Sequence, residues 1–291
     1  MRRRAGIAGW CCLAALGVVP GCAAARHRRD AAAEAPAAAA LRQELSQAAT
    51  AAMDAGDYAL ARADLERLVA QSPRSAELHY RLGKVLQLQG DLGAAIDSYR
   101  KALAIEPEYV GALVGLGLVD TRLNRFGDAL TRLDTAIEVD PHQPDAHLAR
   151  GQALEALGRP EDALAAYFRA LELDPSSSPA LARVATIQLD SGHPDQALVR
   201  LDRANEVAPD DAEIRFRRGL AHLKLNHPKL AVGDLAFASA RLDHRADVFL
   251  ALAEALQLDR QPAEARLAAE RALHIDPDST LARELTERLR R

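Results

Sequence analysis

Residues 76–109 read AELHYRLGKVLQLQGDLGAAIDSYRKALAIEPEY. Apolar residues recur in two runs at helical spacing, which predicts two short amphipathic helices, here called A and B. Gly90-Asp91 separates them and Pro107 closes the unit. The unit then repeats. Prolines stand at 73, 107, 141, 175, 209 and 277, a spacing of 34 with one missing beat, at Asp243. A fixed period of this size is the signature of a solenoid, in which each unit buries its apolar face against its neighbours.

Placing Pro73 at position 32 of its unit gives seven units: 42–75, 76–109, 110–143, 144–177, 178–211, 212–245 and 246–279. Position 20 is then Ala61, Ala95, Ala129, Ala163, Ala197, Ala231 and Ala265. Position 27 is Ala in six units, with Leu68 the exception, and position 8 is Gly or Ala throughout, Gly83 among them. Small residues locked in phase are needed where helix backbones approach closely. The spacing places Ala163 against Gly151 within the fourth unit. Position 15 is Gly56, Gly90, Asn124, Gly158, Gly192 and Asn226, residues that accept the left-handed conformation ending helix A; only Arg260 departs. Pro160, Pro194, Pro228 and Pro262 suit the first turn of helix B. Residues 280–291 (TLARELTERLRR) keep a helical period without a second helix, as a polar cap would.

The residues at positions 8, 20, 27 and 32 resemble the tetratricopeptide repeat family, over residues 42–279. The resemblance implies an all-α, right-handed superhelical solenoid of helix-turn-helix repeats. It also implies that positions 2, 5, 9, 12 and 13 of the A helices line a concave groove for protein segments. The family's aromatic at position 4 is mostly absent, that position being Leu45, His79, Leu113, His147, Leu181, Arg215 and Phe249. Aromatics are only 4% of the chain, so the core must be built from Ala, Leu, Val and Ile. Close-packed helix pairs tolerate that and a β-sandwich does not.

The N-terminus carries a different message. Met1-Arg2-Arg3-Arg4 precedes AGIAGWCCLAALGVV, a basic then apolar stretch of secretory-signal size, too short for a confident span. Val18-Val19-Pro20-Gly21-Cys22 resembles a bacterial lipobox, which implies residues 1–21 as signal peptide and acylation of Cys22. Ala23, rather than Asp, after the cysteine implies outer-membrane sorting and a periplasm-facing protein in the cell envelope. A secreted form cut after Ala23-Ala24-Ala25, or an uncleaved anchor, remains open. All three cysteines (Cys11, Cys12, Cys22) precede the repeats, so the exported body forms no internal disulfide. Residues 22–41 are Ala-rich, broken by Pro36, and read as a tether. The Arg26-His27-Arg28-Arg29 cluster can touch anionic headgroups or stay solvated. Loss of residues 1–21 removes three arginines and no acids, leaving 34 bases against 41 acids and a net charge of −7. That argues against a nucleic-acid partner.

Nothing in the chain assembles catalytic chemistry. It has no HExxH, P-loop, GxSxG or CxxC motif, and the expectation is a non-enzyme without metal or cofactor. His193 and His227 share position 16, each before Pro, and are expected as turn residues; His79 and His147 are expected to pack between helices. Arg150 and Arg218 replace the usual Leu at position 7 and are expected to send their heads to solvent.

The groove floor is more informative. Position 5 is Ser46, Tyr80, Val114, Leu148, Ala182, Phe216 and Leu250; position 9 is Thr50, Lys84, Leu118, Gln152, Thr186, Leu220 and Glu254. Family members that clamp acidic chaperone tails carry Lys at 5 and Asn at 9, which no unit here has. The expected partner surface is therefore apolar with scattered polar groups: Tyr80, Lys84, Val114, Leu118, Leu148, Gln152, Leu189, Phe216, Leu220, Leu223 and Leu250. Phe216, the large aromatic of the strip across units five to seven, is its expected anchor. The functional expectation is a lipid-anchored envelope scaffold for protein partners, of the kind that assists pilus or secretin assembly or docks cell-wall hydrolases. The alternative is a periplasmic carrier or sensor with a small ligand in a closed pocket.

Overall fold

The computed structural model describes residues 39–290, all helix and turn, in two compact units divided at Ser72/Pro73. The lipobox, Cys22 and most of the tether lie outside the described residues. In the first unit a helix at 39–54 (α1) turns at Gly56 (φ 75°) into α2 (Tyr58–Gln71). Helix α1 thus includes residues 39–41, the end of the stretch read as tether. Asp57 caps α2, accepting the Leu60 amide at 3.0 Å.

The second unit is a row of antiparallel pairs. The A helices are α3 (Ala76–Leu88), α5 (Val110–Arg122), α7 (Pro144–Ala156), α9 (Ser178–Asp190), α11 (Ala212–Lys224) and α13 (Ala246–Leu258). The B helices are α4 (Leu92–Ile105), α6 (Phe126–Val139), α8 (Pro160–Leu173), α10 (Pro194–Val207), α12 (Pro228–Ser239) and α14 (Pro262–Ile275). A single helix, α15 (Thr280–Arg290), follows. Helix α12 has 12 residues where the other B helices have 14. It stops without a proline at 243, so that proline reinforces the turn rather than creating it.

Each A–B turn ends in the same way. At the second pair Gly90 has φ 83° and the Asp91 amide returns to Leu86 O at 2.9 Å, satisfying a carbonyl the helix end leaves free. The closest A–B contact lies elsewhere than the expected alanine-to-glycine pairing. A Cβ on Gly83 would stand 2.7 Å from Tyr99 Cδ1, and one on Gly117 would stand 2.6 Å from Leu133 Cγ. At Gly151 the obstructing atoms belong to Tyr167, not Ala163. In the second, third, fourth and sixth repeats position 8 is glycine, and a large position-24 side chain lies against it. Gly83 and the alanines at position 20, from Ala61 to Ala265, are fully buried or nearly so.

Arg150 and Arg218 do not end in free solvent. Arg150 donates to Asp134 of the preceding repeat at 2.7 Å. Arg218 reaches buried Asp234 (2.6 and 2.7 Å) and Asp202 (3.4 Å). Asp234 also takes Arg215 at 2.8 Å, so a buried carboxylate is neutralised by two guanidinium groups. His79 and His147 are buried, each Nε2 bonded to the carbonyl of the preceding repeat's proline, Pro73 at 3.0 Å and Pro141 at 3.1 Å.

Candidate functional site: a trough on the A helices

The A helices α3, α5 and α7 pack side by side, and a cavity of about 230 Å³ opens over them. Its lining includes six of the expected groove residues: Tyr80, Lys84, Val114, Leu118, Leu148 and Gln152. The repeat period brings them together because positions 5 and 9 lie one helical turn apart on one face. Gly111 and Asp145 (position 2) and Gln87 (position 12) also line it, and the same register could have named them.

Tyr99 could not have been found that way, because it belongs to a B helix. Its ring reaches the trough between Gly83 and Gly115; a Cβ on Gly115 would stand 2.5 Å from Tyr99 Cζ. Tyr80 tilts against Tyr99 and Tyr109, with ring centres 6.1 and 5.3 Å away. The Tyr99 hydroxyl donates to Gln87 Oε1 at 2.8 Å. Burial pushes both phenols above their ordinary pKa, helped at Tyr80 by the Asp145 carboxylate and at Tyr99 by Tyr80. Both therefore act as neutral hydrogen-bonding groups. Lys84 and Asp145 stand at the rim with no ion pair among the described residues.

Two further cavities continue the trough. One of about 500 Å³ shares Gln87, Leu118 and Gln152 with the first and adds Arg122, Glu155 and Arg183. Another of about 210 Å³ shares Gln152 and Arg183 and reaches Arg217 on α11. Arg122 donates to Gln87 O at 3.2 Å, Glu155 holds Arg183 at 3.4 Å and the Tyr167 hydroxyl at 2.6 Å, and Arg217 pairs with Glu213 at 2.8 Å. The result is a chain of open clefts with a tyrosine-rich apolar end and a polar, ion-paired end.

The apolar strip expected across the later repeats is not part of it. Phe216 is 7% exposed, in a core cluster with Leu235, Val248 and Leu252, and Arg245 lies over its ring at 4.8 Å. Leu220, Leu223 and Leu250 pack against the same cluster, and Leu189 is buried against Leu201 and Ile214. Leu250 faces a separate cleft beside α15. Position 5 can point to the groove or wedge between repeats; at Phe216 the neighbouring helix α13 closes over it.

Among the described residues no cluster of three His, Cys, Asp or Glu side chains could hold a metal, and no helix is long and apolar enough to cross a membrane. His193 and His227 are exposed at the N-termini of α10 and α12.

Sequence models described as tetratricopeptide repeat match residues 46–110, 114–178 and 154–220. The chain belongs to the tetratricopeptide repeat family. A segment of 63 residues, 22% of the chain, is 41% identical to the probable biofilm formation methyltransferase WspC of Pseudomonas putida. It spans only 15% of that relative's length. Among solved structures, Pseudomonas aeruginosa PilF superposes with a TM-score of 0.67 at 17% identity, covering 73% of this chain and 97% of PilF. PilW, a type IV pilus biogenesis factor, does so with a TM-score of 0.57 at 22% identity, covering 68% and 92%. These likenesses establish the tetratricopeptide solenoid fold.

Proposed function

We propose that this tetratricopeptide chain is a non-catalytic adaptor of the cell envelope. It holds an extended or helical segment of a partner protein in the trough over α3, α5 and α7. The observation that carries this is the run of adjoining open cavities with apolar floor residues (Tyr80, Val114, Leu118, Leu148) and unpaired polar groups (Lys84, Asp145) at the rim. A linear segment can follow such a run, burying side chains in the floor and pairing its polar groups at the edge. A small ligand needs a more closed pocket.

The anchor is proposed from the sequence: acylation of Cys22 would tether the solenoid by the residues before α1, at the outer membrane and facing the periplasm. Envelope proteins of this form serve pilus or secretin assembly or dock cell-wall hydrolases, and the likeness in fold to PilW supports the first of these.

The test places a photo-crosslinking residue at Gln152 in the trough and, separately, at Leu230 on a B helix. Capture of one partner from Gln152 alone, abolished by Leu118→Glu with an unchanged melting curve, is the expected result. Equal capture from both positions sinks the trough as the site. For the anchor, Cys22→Ser moves the protein from the membrane fraction to the soluble periplasm; identical fractionation of both forms rules out lipid tethering.

A further inference from the structure

A cleft of about 330 Å³ lies on the B-helix side of the repeats, between α8 and α10. Its floor is Leu181 at the start of α9 and its walls are Phe168, Leu171 and Val199. Phe168 is 40% and Val199 69% exposed. No residue lines both this cleft and the trough.

The two neighbouring repeats carry polar side chains with partners of their own at the equivalent position. One repeat later the counterpart of Leu181 is Arg215, whose guanidinium lies 4.6 Å from the Phe237 ring centre and bonds Asp234. One repeat earlier it is His147, bonded to Pro141 O. In the fifth repeat the residue is Leu181, and the cleft that it lines is open and apolar.

Its cations are also left over. In the third repeat Arg132, the counterpart of Arg200, turns inward to buried Asp120 at 2.6 Å. In the fifth repeat the counterpart of Asp120 is Gln188, which bonds Gln196 instead. Arg200 therefore faces outward, 5.6 Å from the Phe168 ring centre, with only the Gln196 carbonyl at 3.1 Å. Arg203, one turn on, has no ion pair among the described residues. Covering two guanidinium groups without an anion is unfavourable, and each makes its strongest hydrogen bonds to carboxylates.

We propose that this cleft is a second docking surface, for a protein segment that brings one bulky apolar side chain flanked by carboxylates. A membrane would meet side chains that protrude, whereas this surface is recessed to receive one. With the trough on the A helices, it makes the chain a two-sided adaptor. The cleft stands on its own geometry and does not depend on what the trough binds.

The test uses the full mature chain and a fluorescent synthetic peptide with a central Phe between Glu pairs. Controls replace Glu by Lys or Phe by Ala, and vesicles of mixed phosphatidylglycerol and phosphatidylcholine probe the membrane alternative. Wild type binds the Glu peptide in preference to both controls. Arg200→Glu with Arg203→Glu weakens it by about tenfold, and Leu118→Glu in the trough leaves it unchanged. If the double variant melts early, Val199→Asp, at a mostly exposed position, is read instead. Equal binding of the Lys peptide, no binding of any peptide, loss with Leu118→Glu only, or arginine-dependent binding to vesicles alone each overturns the proposal.

Discussion

Arg260 holds φ at 61° with the backbone of a helix-ending glycine. Asn124 and Asn226 take the same conformation, and Gly56, Gly90, Gly158 and Gly192 do so at no steric cost. An arginine there costs about 1 kcal/mol. It persists because the Gln261 amide still reaches Leu256 O at 2.9 Å and the pair must turn to pack. Its side chain is exposed, so Arg260→Gly loses no side-chain hydrogen bond or ion pair among the described residues. Set against the extra freedom of an unfolded glycine, the expected gain is about 0.5 kcal/mol, read as a higher urea midpoint. A lower midpoint would mean the guanidinium contributes more than the backbone strain costs. The sequence marked position 15 as a turn through Gly and Asn, and at Arg260 the period alone says so.

At the scale of the element, helix α11 shows why one register position carries two roles. Tyr80 on α3 and Leu148 on α7 sit at position 5 and stay partly open to the trough. Phe216 sits at position 5 on α11 and is closed over by α13 and by Arg245. Periodicity places a residue on a face, but the spacing of the next helix decides whether that face meets solvent. Phe216→Ala is therefore a core truncation, expected to cost about 3 kcal/mol or more through the cavity it leaves. Thermal unfolding should drop clearly while crosslinking from Gln152 in the trough persists. A normal melting curve would show that α13 does not rest on this ring.

For the whole second unit, stability is close to a sum of repeat and nearest-neighbour terms. A strained contact should therefore do local damage. Gly151→Ala drives a Cβ into the Tyr167 ring, which is fully buried and hydrogen-bonded to Glu155. The expected cost is about 1–3 kcal/mol. Hydrogen exchange should quicken around α7 and α8 and their neighbours and remain slow in α13 and α14. Uniform quickening along the chain would contradict a nearest-neighbour solenoid. Tyr167→Leu in the Gly151→Ala background should recover part of the loss, since Ala185 with Leu201 shows that pairing in the fifth repeat.

By itself the sequence determined the repeat, its length, the two helices of each unit and the small residues at their crossing. These are local and periodic properties, and a 34-residue period reports them many times over. It also placed Tyr80, Lys84, Val114, Leu118, Leu148 and Gln152 on one face, since register alone fixes that. Tertiary structure decided which positions on that face stay open. It buried Phe216, brought Tyr99 through from the other helix layer, turned Arg150 and Arg218 to aspartates, and left Arg200 facing outward over Phe168. Each of these depends on what the neighbouring helix happens to offer: a glycine where a ring can lie, a carboxylate where a guanidinium can reach. Those pairings join residues 16 or more apart on different helices, beyond the reach of helical periodicity.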